Sequence, residues 1–179
     1  MNPTVKFIGC AGWNIPNEEK AQFPPFGTHL ERYATHFATV EINSSFYRPH
    51  KIATYARWAD TVPVDFRFAI KCPKTITHGA RLENTQELLA KFLDEVSGLG
   101  DKLGCLLVQL PPSLTFELIV ASEFFENLRN MTKVRVALEP RHSTWSSKHV
   151  EKENTELKKL LADQMLKARA LEIALEKKA

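Results

Sequence analysis

The sequence predicts an α/β fold in which about five parallel strands alternate with helices and a C-terminal amphipathic helix follows. Apolar runs of five to seven residues alternate with helix-like segments of 10–14 residues, which is typical of βαβ units and a parallel sheet. The run 103–109 is almost continuously apolar, as expected for a strand covered on both faces. From residue 151 onward the pattern changes, because the chain there has no Gly, Pro or aromatic residue and only charged, Leu-spaced helical repeats.

The first half of the chain supplies two strands and two helices. Residues 5–9, Val-Lys-Phe-Ile-Gly, predict the first strand, and a loop rich in Pro and Gly follows. A helix is expected over 28–37, because its first residue is a threonine suited to cap it and apolar side chains recur on one face. The run 39–43 predicts the second strand, and the next helix is expected over 52–61, shortly before a proline.

The second half continues the same alternation. Apolar residues form three β-like runs there and recur at helical spacing in two segments. We predict strands over 66–71, 103–109 and 134–138. We predict helices over 85–96, ended by Gly98 and Gly100, and over about 116–128. No Gly-x-Gly-x-x-Gly motif follows the first strand, which argues against a dinucleotide site.

Composition and charge limit the function classes. The chain has 179 residues, of which 44% are hydrophobic and 25% charged, as in an ordinary soluble domain. The net charge of +3 does not by itself require a nucleic acid or an anionic membrane as partner. Because there is no membrane-spanning apolar run and no visible secretory signal, we expect a cytoplasmic protein.

Three cysteines, Cys10, Cys72 and Cys105, lie in or beside predicted strands. Their number is odd and they form no Cys-x-x-Cys motif, so a disulfide framework is not indicated. We interpret them as buried reduced thiols, with a zinc ligand or a catalytic thiol as the alternatives.

Polar side chains follow most of the predicted strands at their carboxyl ends. Ligands bind at these ends in parallel α/β folds, so we expect a small-molecule site there. The residues are Trp13 after the first strand, Glu41, Asn43, Ser45 and Tyr47 in and after the second, Lys71 and His78 at the third, Gln109 at the fourth, and Glu139, Arg141 and His142 at the fifth.

The residue types suggest roles. We assign Glu41, Lys71, Glu139 and His142 as catalytic candidates, because two neighbouring carboxylates suit acid–base work and a desolvated lysine can act as an electrophile. Arg141 is suited to hold a carboxylate or phosphate through two hydrogen bonds. The other residues of this set are assigned to ligand binding: Trp13, Asn43, Ser45, Tyr47, His78 and Gln109. A metal centre of both glutamates and a histidine is only weakly supported, and no cofactor is identified.

Each of these residues also has a purely structural interpretation. Glu41 and Glu139 are equally suited to neutralise Lys71 or Arg141 without chemistry, and a single loop histidine is usually an ordinary hydrogen-bonded one. Trp13 and Tyr47 are also suited to covering the core. Recurrence after most strands favours the functional interpretation.

Several motifs of this sequence resemble those of the YecE-like family, also called domain of unknown function 72, and occur in the same order as in that family. They are Gly9-Cys10-Ala11-Gly12-Trp13, Val40-Glu41-Ile42-Asn43-Ser44-Ser45-Phe46-Tyr47, Phe68-Ala69-Ile70-Lys71-Cys72-Pro73, Ile76-Thr77-His78, Leu107-Val108-Gln109-Leu110-Pro111-Pro112 and Glu139-Pro140-Arg141-His142. The resemblance implies a (β/α)₈ barrel of the TIM type and supplies no reaction. Family members continue well beyond the last motif, so it also implies that residues 1–147 form a truncated, partial barrel domain.

The segment 148–179 resembles the zipper helix of the small OrfA-type transposase subunit of insertion elements. Its heptad seam includes Leu157, Leu161, Leu171 and Leu175, which predicts a coiled-coil-like helix able to pair copies of the chain. The DNA-binding part of that family is not in this sequence, so nucleic-acid binding is not expected. A fusion through mobile DNA explains the segment, and a native amphipathic helix is the alternative.

Three functions therefore stay open from sequence. The first is an enzyme, or the remnant of one, with an incomplete site at the strand ends. The second is an oligomerisation module that pairs through the zipper-like helix, and the third is an inactive product. The sequence does not decide whether the protein is an enzyme.

Overall fold

The computed structural model describes residues 7–146 of the chain. Within that range four strands form one parallel sheet in the order β1-β2-β3-β4. They are β1 (Thr39–Ile42), β2 (Arg67–Lys71), β3 (Leu103–Gln109) and β4 (Arg135–Glu139). Each strand pairs with the next one along the chain, and a helix lies between them, so the predicted parallel α/β architecture is confirmed.

The predicted first strand differs from the structure. Residues 7–10 form no regular strand, and Ala11 makes a single parallel bridge to Glu41. The bridge is local, because Glu41 donates its N–H to the Cys10 carbonyl at 2.9 Å and accepts from the Gly12 N–H at 2.9 Å. Gly12 then turns away with a φ of 95°, which only glycine adopts without strain and which ends the pairing.

Four helices occupy the positions expected from sequence. They are α1 (His29–Ala34), α2 (Ile52–Asp60), α3 (Gln86–Val96) and α4 (Leu118–Met131). Thr28 caps α1 in a full capping box with Glu31, as its position predicted, but α1 ends three residues earlier than expected. Short helical turns absent from the sequence prediction cover Asn17–Gln22, Ser44–Phe46, Thr75–Gly79, Ser97–Lys102 and Ser143–Trp145.

One face of the sheet packs against the helices and forms the core. Its strand residues are almost fully buried, including Val40, Phe68, Ile70, Leu106 and Val108. They join one cluster with Leu30 and Tyr33 of α1, Tyr55 of α2, Leu89 and Phe92 of α3, and Phe124 and Leu128 of α4. Burial of this apolar area is the main force that holds helices and sheet together.

The opposite face of the sheet is only partly covered by the described residues. It carries Glu41, Ala69, Lys71 and Leu107, all half-buried, and Ala137, which is exposed. A sheet closed into a barrel would have this face inside. The cysteines follow the same division: Cys72 is buried, Cys105 half-buried and Cys10 exposed, so the expectation of a buried thiol is wrong for Cys10.

Candidate functional site

Four of the predicted site residues share the partly covered face of the sheet. Glu41 pairs with Ala69, Lys71 with Leu107, and Gln109 with Glu139 in the parallel registers. Paired residues point to the same face, as do residues two apart in one strand, so the four side chains lie on one surface. Gln109 and Glu139 are the last residues of their strands and Lys71 the last of its own, which places them at the carboxyl-end rim.

Glu139 is held by two neighbours. The Gln109 amide donates from Nε2 to Oε2 at 2.9 Å, and Arg141 donates from Nε and Nη2 to Oε1 at 3.3 and 3.2 Å. The hydrogen bond from Gln109 lowers the pKa of Glu139 most, and Arg141 and Lys71 lower it further. The Arg141–Glu139 ion pair is 51% and 43% exposed, so it contributes little stability and mainly orients the carboxylate.

Glu41 has the opposite electrostatic environment. Burial raises the pKa of its carboxyl group above the ordinary value, and the negative charge of Glu139 raises it too. The positive charge of Lys71 works against both effects. Two carboxyl groups on one surface therefore have pKa values displaced in opposite directions, a pattern also found in sites where one carboxyl group donates a proton and another stays ionised.

The aromatic ring of Phe46 brings Lys71 and His78 together. The Lys71 Nζ lies 4.8 Å from the centroid of the Phe46 ring, and the His78 ring packs edge-on to the same ring at 5.0 Å. Burial lowers the pKa of His78, and the charges of Arg141, Lys71 and Lys74 lower it further. Burial and the positive charges of three residues therefore favour the neutral form of this histidine.

Asn43 and Ser45 lie in the loop that leaves β1. The Asn43 Oδ1 atom is buried and has no hydrogen-bond partner among residues 7–146. The Ser45 hydroxyl is directed at the carbonyls of Ile42 and Lys71, at 2.8 and 2.6 Å, and ties this loop to the end of β2. Ser45 therefore positions the rim through backbone contacts.

Three other predicted residues have local structural contacts. Trp13 packs edge-on against Trp58 at 5.1 Å and lies against the core. His142 uses Nδ1 to accept from the Thr144 N–H at 3.2 Å, which caps the turn Ser143–Trp145. Tyr47 is 67% exposed beside Phe46. These contacts do not bring Trp13 or His142 to the four residues on the sheet face, and their roles stay predictions.

Sequence reasoning missed the importance of Phe46 and Lys74. Phe46 stood inside the Ser44-Ser45-Phe46-Tyr47 motif, between residues chosen for their polar groups. Its apolar ring is 9% exposed and supports both Lys71 and His78. Lys74 lies just past the end of β2, and its Nζ is 5.9 Å from the Tyr47 ring. The usable signal was the placement of an aromatic residue among polar ones at a strand end.

Two clefts lie near this surface but outside the cluster of charges. One, of about 180 Å³, is formed between the loop 45–49, Pro73 and helix α3, with Arg48, Lys91 and Glu95 on its walls. The other, of about 330 Å³, is formed by segment 10–23 and residues Tyr33, His36 and Phe37. Neither cleft is lined by Glu41, Lys71 or Glu139, which lie on the open face of the sheet.

The described chain holds no obvious metal or membrane feature. Between residues 7 and 146 there is no group of three or more His, Cys, Asp or Glu side chains arranged to bind a metal ion. The helices in this same range are too short or too polar to cross a membrane.

Comparison with known proteins gives relatives and folds. The chain is 32% identical over 148 residues to the UPF0759 protein YecE of Escherichia coli K12, covering 82% of this chain and 52% of that protein. It is 25% identical over 150 residues to the UPF0759 protein YunF of Bacillus subtilis, covering 79% and 52%. The chain thus spans about half the length of the curated relatives it matches.

Solved structures agree on the fold. A DUF72 family protein from Enterococcus faecalis matches with a TM-score of 0.66 at 22% identity, over 82% of this chain and 55% of that one. A DUF72 family protein from Thermotoga maritima matches with a TM-score of 0.62 at 23% identity, over 79% and 58%.

The family model described as "Protein of unknown function DUF72" matches residues 7–174. This range includes most of the segment 148–179 that we interpreted as an appended helix, and that segment lies outside the described residues. Its resemblance to a transposase zipper and its pairing residues, Leu157, Leu161, Leu171 and Leu175, stay predictions. Because the matched range is most of the sequence, this chain belongs to the DUF72 family.

Proposed function

We propose that the carboxyl-end rim of the sheet binds a small anionic molecule, with Glu41 as the group that exchanges a proton with it. The observation that carries the proposal is the common face of Glu41, Lys71, Gln109 and Glu139, on which the two carboxyl groups have pKa values displaced in opposite directions. Such a pair is suited to general acid–base work.

The charges favour an anion. Lys71, Lys74 and Arg141 all act electrostatically on His78, and Glu139 is a rim carboxylate whose ionised form is favoured. Arg141 already donates to Glu139 through Nε and Nη2, so Glu139 holds the guanidinium at the rim. A carboxylate or phosphate beside Lys71 and Arg141 gains charge-assisted hydrogen bonds.

The proton chemistry follows from the same geometry. Burial favours the neutral form of Glu41, which is then able to donate a proton to a ligand atom and take it back. Glu139, held ionised by Gln109 and Arg141, serves as the fixed negative charge. This chain spans about half the length of its relatives, so any reaction of the whole protein is itself proposed here.

Sulfate titration of the full ¹⁵N-labelled chain tests anion binding, with amide chemical shifts as the readout. We expect Lys71→Met to weaken sulfate binding about fivefold, the equivalent of about 1 kcal/mol for one partly exposed charge contact. Lys133→Met is the matched control, because Lys133 is exposed and precedes β4 at the opposite end of the sheet. Equal affinities for the wild type and both variants would contradict the proposal.

An interaction module remains the second candidate. It depends on pairing through residues 148–179, which lie outside the described range, and on the outer strand β4, whose Arg135 and Ala137 are exposed. We propose self-association as the form this function takes.

A further inference from the structure

We propose that the cleft of about 330 Å³ between segment 10–23 and the end of α1 binds a small organic cation of the trimethylammonium type. Aromatic rings hold its methyl groups, and Glu19 is its counter-ion. We call this cleft the aromatic cleft. The proposal does not depend on the anion site at the rim, because none of Glu41, Lys71 and Glu139 lines the aromatic cleft.

The first observation is that the aromatic cleft has a fixed shape. The Tyr33 hydroxyl accepts from the Cys10 N–H at 2.8 Å and donates to the Thr39 carbonyl at 2.9 Å, which ties one end of the wall to α1 and β1. Just past the other end, Arg32 donates from Nε to the Pro24 carbonyl at 2.5 Å. The wall is therefore attached to the fold before a ligand arrives, which lowers the entropic cost of binding.

The second observation is the size of the cleft and its aromatic lining. Its volume falls within the usual range of ligand pockets, about 300–1,000 Å³. Phe23 packs against the His36 ring with centroids 4.6 Å apart, and Phe37 stacks on Tyr33 at 4.7 Å. Phe23 and Phe37 are only half-buried and His36 is exposed, so these rings have surface to offer a ligand. Aromatic rings attract cations over their faces, and cages of such rings bind quaternary ammonium groups.

The third observation is the charge of the lining. Among the described residues 7–146, Glu19 is the one carboxylate that lines the aromatic cleft, and no lysine or arginine lines it. The Gln22 amide donates from Nε2 to Oε2 of Glu19, which helps to orient the carboxylate. The neighbouring Arg32 instead donates to the carbonyls of Pro24 and Lys20. A cation is therefore attracted by both the rings and the carboxylate, whereas Glu19 repels an anion.

The fourth observation favours a methylated cation over a primary amine. The Tyr33 hydroxyl and the Gln22 amide, which both line the cleft, already make hydrogen bonds within the fold. A primary ammonium group brings three N–H donors, and each needs an acceptor when it is desolvated. A trimethylammonium group brings no N–H donor and presents methyl groups to the rings.

A matched pair of probes tests this proposal on the full ¹⁵N-labelled chain. Choline carries the trimethylammonium group, and 3,3-dimethylbutan-1-ol has the same shape with a neutral carbon in place of the nitrogen. We expect choline to shift the amides of residues 10–23, 36 and 37 saturably and to bind about fivefold tighter than the neutral alcohol. Ethanolamine, which has the charge without the methyl groups, should bind more weakly than choline.

Two variants with matched controls assign the effect to the lining. Glu19→Gln should abolish the preference for choline over the neutral alcohol, whereas Glu18→Gln should keep it, because Glu18 belongs to the same exposed turn but does not line the cleft. Phe23→Leu should weaken choline about threefold, because leucine is apolar but has no aromatic face. Phe26→Leu is its control, since Phe26 is 86% exposed and lies outside the lining. Glu19 is exposed, so its variant is expected to fold even if Phe23→Leu does not.

Each other outcome overturns the proposal. Equal binding of choline and the neutral alcohol means that the aromatic cleft accepts any apolar molecule of this shape. Amide shifts that follow protein concentration and not choline mean that a second copy of the chain occupies it. A preference for choline that survives in Glu19→Gln, or that Glu18→Gln removes equally, contradicts the role of Glu19. None of these results bears on the sulfate titration, which reports on Lys71 and the rim.

Discussion

At the scale of single residues, Glu41 and Glu139 show how the surroundings give two identical side chains different pKa values. Glu139 accepts from Gln109 and Arg141, and these donors favour its ionised form. Glu41 is half-buried, and its burial and the negative charge of Glu139 both favour its neutral form. The side chains are chemically identical, and the difference in pKa comes from burial, hydrogen-bond donors and neighbouring charges.

This difference predicts how anion binding depends on pH. Glu41 gains negative charge as the pH rises through its raised pKa, so sulfate affinity should fall as the pH rises above the ordinary range of a glutamate carboxyl group. Glu41→Gln should bind sulfate more tightly at neutral pH and show a smaller fall. The shift titration described above, repeated at several pH values, measures both effects.

The control for this experiment is another glutamate with a raised pKa. Burial raises the pKa of Glu95, but Glu95 lines the cleft beside α3 and not the sheet face. Glu95→Gln should leave the pH profile unchanged. His78 also gains charge on acidification and is a second source of pH dependence. If Glu41→Gln keeps some pH dependence and the double variant Glu41→Gln/His78→Gln loses it, that remainder is due to His78. An unchanged profile in Glu41→Gln contradicts the role given to Glu41.

Residue types and alternation in the sequence were enough to predict the main features of the rim. Glu41, Lys71 and Glu139 were chosen as strand-end residues, and strand periodicity places such residues on one face. The capping bond of His142 and the packing of Trp13 on Trp58 were not predictable, because both depend on loop geometry. The unpaired oxygen of Asn43 is also invisible in sequence, since it depends on which donors the fold leaves out of reach.

At the scale of elements, Gly98 in the connection after α3 does more than end a helix. The sequence predicted that Gly98 stops the helix, and the structure continues it as the tight turn Ser97–Lys102. A Cβ at Gly98 would lie 2.3 Å from the Ile52 carbonyl oxygen and 3.0 Å from the Ala56 nitrogen. The turn therefore packs directly on the backbone of α2, a contact between distant segments that a local pattern cannot reveal.

Gly98→Ala should consequently destabilise the fold. The added methyl group meets backbone and not a flexible side chain, so α2 and the turn must separate, at a cost of about 1–3 kcal/mol in the free energy of unfolding. Urea denaturation followed by circular dichroism measures the change. Gly79→Ala is the control, because its Cβ would have an ordinary contact of 3.7 Å, and an equal loss in both variants contradicts the packing explanation.

At the scale of the whole molecule, the outer edge of β4 has no neighbouring strand among the described residues. In the range 7–146, β4 pairs only with β3, and its Arg135, Ala137 and Leu138 are exposed. The face that carries the candidate site is also half-open. Unpaired strand edges invite pairing with another chain, so we expect copies of this chain to associate.

Light scattering of the full chain and of residues 1–147 tests this association and locates it. Association through the zipper-like segment predicts a dimer for the full chain and a monomer for 1–147, because that segment would supply the apolar seam. Association through β4 predicts that both forms self-associate and that Ala137→Lys, a charge on the outer strand, shifts both toward the monomer. Lys133→Met, placed just before β4, should leave the mass of either form unchanged. A full chain that stays monomeric at high concentration contradicts both routes, because neither the edge of β4 nor the terminal segment would then mediate self-association.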